Sequence, residues 1–196
     1  ALRASWDPSR SYGWVRTLEL RDLTGGGQRV EVLDGLLDVM PTGVDAVTEQ
    51  LRSNLVDAYK RSETGGWGSA AVFALESLIT DRAEPGEALA ATLLWSRGLD
   101  DAEVHLDERV VDDVLQGRQR TPIELLTGRR AAYLLRAPVA VPAGGASTWA
   151  LVADIGLGHA ELHDRVRLAA PPGALDLVAA VVRRGAERLE ELLADT

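Results

Sequence analysis

The sequence predicts a mainly β protein with helical insertions, its strands joined antiparallel and a helix closing the chain. Three observations carry that expectation. Short apolar or alternating runs recur between breaks rich in glycine and proline. A sustained helical period occupies only residues 44–62 within the first two thirds of the chain. Beyond Pro171-Pro172-Gly173 the period changes again, and Leu175, Val178, Val182, Leu189 and Leu192 repeat at helical spacing as far as residue 193.

In order along the chain, Trp14 to Leu20 forms a strand-like run with Val15, Thr17, Leu18 and Leu20. Gly25-Gly26-Gly27 interrupts it, and Arg29-Val30-Glu31-Val32 resumes an alternating pattern, so the pair reads as a β-hairpin. No helix follows the three glycines, which makes them a turn rather than a phosphate cradle. Val44, Val47, Leu51, Leu55 and Tyr59 then line one helical face, with Asp45, Glu49, Arg52 and Lys60 available for its wet side. Met40-Pro41-Thr42-Gly43 breaks the chain before this segment, and Thr64-Gly65-Gly66 after it.

Ala70 to Thr80 and Leu89 to Trp95 are short apolar runs that read as strands, separated by a loop-forming stretch from Asp81 to Gly86. Asp107 stands where an N-cap belongs, Val110, Val111, Val114 and Leu115 make an apolar face, and Gly117 can end the turn; a short helix is expected. Ala131 to Val141 and Ser147 to Asp154 read as a second hairpin around Pro142-Ala143-Gly144-Gly145. The chain divides at the Pro-Pro-Gly break into a strand-rich unit over 1–170, with its helical insertion near 44–62, and a terminal linker helix over 174–194.

Composition narrows the function classes. The 196 residues carry 21 Lys+Arg against 30 Asp+Glu, for a formal net charge of −9. An acidic chain repels phosphate backbones, which argues against nucleic acid as a partner even where Arg129 and Arg130 adjoin. With zero cysteines there is no thiolate nucleophile, no Cys-ligated zinc and no disulfide framework. Cysteine-free composition and the lack of an apolar run of about 18 residues lead us to expect a cytoplasmic protein without a membrane partner. A chain of this size buries about 70% of its unfolded surface and needs no metal to fold. It begins at Ala1 and its only methionine is Met40, which suggests a piece of something longer.

Catalytic signatures fail one by one. His159 and His163 are four residues apart and would share a helix face, so they are the weak candidates for a metal. Ala160 stands where a zinc protease places its glutamate base, and His105 is the only other histidine; no metal is expected. Asp154-Ile155-Gly156-Leu157-Gly158 resembles the start of a dinucleotide fingerprint, but Glu161 replaces the third glycine and brings a negative charge. Lys60 lies outside any Gly-rich loop, and Ser69 has Trp67 where a nucleophile elbow needs glycine. No catalytic residue is assigned, and no cofactor is expected.

Tryptophan is the informative residue type, since five of the few aromatic side chains are Trp. Indole faces stack on sugar rings and also anchor cores. Trp95 and Trp149 fall inside apolar runs and are expected in the core. Trp67, between Gly66 and Gly68 in a loop, is the expected exposed platform.

Three stretches together carry a family resemblance: Ser53-Asn54-Leu55-Val56-Asp57-Ala58-Tyr59-Lys60-Arg61, Thr80-Asp81-Arg82-Ala83-Glu84-Pro85, and the tail from Leu175 to Leu193. They resemble the N-terminal β-sandwich (supersandwich) region of cellobiose and chitobiose phosphorylase-like enzymes, glycoside hydrolase family 94 and its relatives. The resemblance implies an antiparallel β-sandwich followed by a linker helix and then, beyond this chain, a helical barrel that holds the catalytic acid. It implies a non-catalytic, carbohydrate-associated domain that shapes a substrate pocket or a dimer interface. Its partners would be the remainder of the enzyme, an oligosaccharide and a second copy of the chain. Trp67, Asp57, Lys60, Arg82 and Glu84 become the candidate carbohydrate-binding residues. At 196 residues the chain is short for the family's complete sandwich. The alternative is an independent small α/β enzyme or protein-interaction domain using the turn at 154–163, which requires a parallel sheet with Gly156 at its carboxyl edge.

Overall fold

The computed structural model describes residues 1–77, 89–99, 101–169 and 175–194. Its strands are β1 (Leu2–Ser9), β2 (Gly13–Arg21), β3 (Gln28–Leu36), β4 (Lys60–Glu63), β5 (Ala71–Leu75), β6 (Ala90–Arg97), β7 (Glu103–His105), β8 (Leu125–Thr127), β9 (Tyr133–Val141) and β10 (Ala146–Gly158). Its helices are α1 (Ala46–Tyr59), α2 (Val110–Leu115), α3 (His159–Ala169) and α4 (Leu175–Ala194). Seven strands form one sheet in the order β1-β2-β10-β6-β5-β4-β8, and three form a second in the order β3-β9-β7. Every pairing between them is antiparallel. The mainly β, antiparallel expectation and the closing helix are therefore observed, and the parallel sheet required by the α/β alternative is not among the described pairings.

Period-two alternation sorts the core into layers. Leu18, Phe73, Leu94, Trp149 and Leu151 of the larger sheet meet Tyr133, Leu135, Ala137, Val139 and Val141 of the smaller one. The intervening residues Val15, Val72, Leu93, Trp95 and Val152 point the other way, and α3 and α4 cover them with Leu162, Val166, Leu175, Val178 and Val182. On the far side of the smaller sheet, Ala132 and Leu134 pack beneath Val110, Val111 and Val114 of α2. Each layer buries the apolar half of a strand whose other half serves its neighbour, so one alternating pattern supplies two cores.

Both expected hairpins are corrected. β2 pairs with β1 and β10, while β3 pairs with β9, so the glycine turn at 25–27 carries the chain from one sheet to the other. The turn at 142–145 does the same between β9 and β10. The two crossovers lie side by side, joined by Asp22. Its carboxylate accepts the backbone N–H of Thr24 at 2.8 Å, of Gly27 at 3.0 Å and of Gly144 at 3.0 Å, together with the Thr24 hydroxyl at 2.6 Å.

The helical expectations shift mainly at their ends. Asp45 caps α1, its side chain accepting the Thr48 N–H, and the chain leaves the helix at Lys60 directly into β4. The expected helix to residue 62 thus ends in a strand. The short helix near 107–117 is α2; Asp107 precedes it, its carbonyl accepting the Val110 N–H and its side chain the Arg109 N–H. Among the described residues, no helix is long and apolar enough to cross a membrane.

Candidate aromatic binding face

The seven-stranded sheet is wider than the three-stranded one, and its β1–β2 ribbon extends beyond edge strand β3. In that ribbon Trp6 opposes Arg16 and Pro8 opposes Trp14. Opposed residues share a face, and so do residues two apart, so Trp6, Pro8, Trp14 and Arg16 all stand on the side that faces the smaller sheet. Elsewhere that side is the sandwich core; here neither tryptophan belongs to a core cluster of the described residues. Trp6 is 47% and Trp14 49% exposed, whereas Trp95 and Trp149 are 2% exposed. The opposite face of the ribbon is covered: Val15 is fully buried there, and α4 passes close to Pro8, since a Cβ built on Gly185 would lie 3.7 Å from the Pro8 carbonyl oxygen.

Arg16 ties this face to the sandwich. Its Nη1 donates to the Gly35 carbonyl at 2.9 Å and its Nη2 pairs with Asp34 Oδ1. The other oxygen of Asp34 accepts the indole N–H of buried Trp149 at 2.8 Å. The guanidinium carbon of Arg16 lies 5.9 Å from the Trp6 ring centroid, within cation–π range. An anchored arginine thus borders the exposed aromatic strip, as a fixed donor beside flat apolar surface. Such a face can stack on the apolar side of a planar or ring-shaped ligand while Arg16 addresses its polar edge.

The residues singled out in the sequence fall elsewhere and do not converge. Trp67 is partly buried against the helix-covered core, its ring lying where a Cβ on Gly65 would sit, 2.5 Å from Cζ2. Lys60 and Asp57 do meet, but inside the protein. Lys60 is 1% exposed, its Nζ lying 2.7 Å from Asp57 Oδ1 and 3.2 Å from both carboxylate oxygens of Glu49. Arg130 adds longer contacts of 3.6 Å to Glu49 and 3.8 Å to Asp57. Arg82 and Glu84 lie outside the described residues, as does the loop around them.

His159 opens α3 and His163 follows one turn later, both exposed. Among the described residues, no three His, Asp or Glu side chains are grouped to hold a metal ion. At the turn into α3, Glu161 Oε2 accepts the Gly158 N–H at 3.0 Å. The helix end that a pyrophosphate would need is thus occupied by a carboxylate of the chain itself.

Sequence alone does not single out Trp6 and Trp14, since a tryptophan in an alternating run ordinarily points into a core. The available signal was the pair Trp6-Asp7-Pro8 and Trp14-Val15-Arg16, in which the residues sharing the tryptophan side are proline and arginine. What exposes them is the width of the opposing sheet, a long-range property. No protein-family model matches this chain, and no curated protein matches its sequence.

Proposed function

We propose that this chain is a non-catalytic, carbohydrate-binding β-sandwich domain of a larger glycoside phosphorylase- or hydrolase-like enzyme, with Trp6, Trp14 and Arg16 as its sugar-contacting residues. The observation that carries the reading is the placement of two half-exposed tryptophans on one face of the β1–β2 ribbon beside an anchored arginine. Diagonal positions on paired strands are about 7–8 Å apart, a spacing that lets neighbouring indoles address successive parts of one extended ligand. A shallow aromatic strip favours a chain of sugar rings over a compact metabolite, which would instead require an enclosing pocket. The antiparallel sandwich and the helix at its end agree with the architecture expected of such a domain.

The test is a titration with cello- and chito-oligosaccharides followed by tryptophan fluorescence. Binding in the millimolar range or tighter is expected, and Trp6→Ala or Trp14→Ala should weaken it by at least about tenfold, the equivalent of about 1.4 kcal/mol. Silence at millimolar oligosaccharide, or unchanged binding in both variants, overturns the reading.

A further inference from the structure

At the opposite edge of the smaller sheet from Asp34, around β7 and the segment after α2, arginines gather on two buried carboxylates. Asp107, 7% exposed, receives Arg109 Nε at 2.9 Å and Nη2 at 2.5 Å, with Arg120 Nη1 and Arg129 Nη2 each at 3.7 Å. Asp113, 6% exposed, receives Arg118 Nη2 at 2.7 Å and Arg120 Nε at 2.5 Å. At Asp107 three guanidiniums, those of Arg109, Arg120 and Arg129, converge on one carboxylate, in a chain whose net charge is −9.

The surplus borders an open space. A cavity of about 100 Å³ is lined by His105, Asp107, Arg109, Arg120, Thr121 and Arg129, among others. Of these, Arg129 is 47% exposed at its side chain and makes only its single 3.7 Å contact with Asp107, with no hydrogen bond among the described residues. His105 is 1% exposed, and among the described residues its Nε2 has no hydrogen-bond partner, with Glu103 Oε2 lying 3.5 Å away. A second cavity on the other side of Arg120, of about 360 Å³, sets Glu31, Asp101 and Glu103 against Arg120 and Arg136 and has no such surplus.

We infer that the smaller cavity binds a doubly charged tetrahedral oxyanion, phosphate or sulfate, either free or as an ester group on a small ligand. Three guanidiniums lining the cavity around a single carboxylate, Asp107, favour a dianion, and planar arginine forks supply paired donors to its oxygens. Asp107 serves as the internal counter-ion that keeps the arginines gathered when the cavity is empty; removal of that carboxylate would scatter them by mutual repulsion. This goes beyond the carbohydrate reading and rests on different residues at the other edge of the sheet, so either can fail without the other.

The experiment follows the arginine Nε–H resonances of the protein at pH 7.5 while inorganic phosphate, sodium sulfate, sodium acetate or sodium chloride is added at matched ionic strength. Phosphate, sulfate or both should move the Arg109 and Arg129 signals saturably, whereas acetate and chloride leave them in place. Arg129→Gln, a change at a half-exposed side chain with one long contact, should weaken the response at least about tenfold with the fold intact. The inference is overturned if neither dianion produces a saturable shift at tens of millimolar, if acetate matches them, or if Arg129→Gln binds as tightly as the parent.

Discussion

The Asp22 carboxylate accepts the backbone N–H of Gly144 at 3.0 Å, across 122 residues of sequence, and so fastens the two places where the chain changes sheets. Each crossover turn alone is a short loop rich in glycine. Joined through one carboxylate, they fix the end of the sandwich at which β2 hands over to β3 and β9 to β10.

That arrangement predicts a specific acid response. The Thr24 hydroxyl, then the N–H groups of Gly144, Thr24 and Gly27, hold the Asp22 carboxyl well below the ordinary value of 3.8. A carboxyl depressed in the folded state contributes stability that is complete above its unfolded value and is lost as pH falls toward the folded one. Asp22→Asn should therefore lower Tm by a constant amount from neutral pH to about pH 5, and the gap should close progressively below about pH 4. Thermal melts of both proteins across that range check it; a gap independent of pH would mean that ionisation of Asp22 does not matter.

How the fold became legible is clearest at these same turns. Gly25-Gly26-Gly27 and Pro142 to Gly145 announce a change of direction, since glycine and proline act on the local backbone. Whether the flanking strands then pair or part is decided by distant partners: Val32 of β3 lies opposite Ala137 of β9. Strong local patterns are readable: the helical periods of α1 and α4 and the apolar runs of β5 and β6. β7 and β8, three residues each, were too short to show a period, and α3 was hidden by the histidines and carboxylates that surround Leu162 and Val166. The same limit explains the tryptophans, because burial of Trp149 and exposure of Trp14 depend on where the smaller sheet stops.

Gly35 shows a close approach that no side chain survives. A Cβ built there would sit 1.9 Å from the Tyr133 carbonyl oxygen and 2.9 Å from the Leu134 Cα, both backbone atoms of the adjoining strand. Neither can yield without opening the β3–β9 ladder, and Arg16 depends on the Gly35 carbonyl as its acceptor. Gly35→Ala should cost about 3 kcal/mol or more, at the upper end of single substitutions, and should also loosen the Trp6–Trp14 face. Urea denaturation gives the stability loss; a change under about 1 kcal/mol would show that the strands can part cheaply.

Lys60 is the chain's one lysine and is buried among Glu49, Asp57 and the more distant Arg130. Removing a cation from such a group leaves carboxylates without their partner, so Lys60→Met should destabilise by about 3–5 kcal/mol. Adding Glu49→Leu to that variant should recover part of the loss, since an apolar pair of similar volume avoids the desolvation cost. Burial also predicts reactivity: an amine-selective ester should leave Lys60 unmodified in the native protein and label it once denaturant is present. Peptide mass mapping reads this directly, and rapid native labelling would contradict the buried placement.

The tryptophans separate the structural and binding roles by exposure alone. Acrylamide reaches indoles at the surface and not those inside a packed core, so Trp6 and Trp14 should supply the readily quenched emission, while Trp95 and Trp149, each 2% exposed, stay protected. Replacing Trp6 and Trp14 together with phenylalanine should remove most of the quenchable component with little change in Tm, because neither ring fills a core position. Trp149→Phe should act in the opposite sense. It leaves surface emission intact and costs about 1–3 kcal/mol, because Asp34 Oδ2 loses its indole donor inside the sandwich. If oligosaccharide stacks on the β1–β2 face, saturating ligand will protect the parent from acrylamide and will leave the Trp6/Trp14 double variant unaffected. Protection that persists in the double variant would place the ligand elsewhere, with Trp67 the first position to examine.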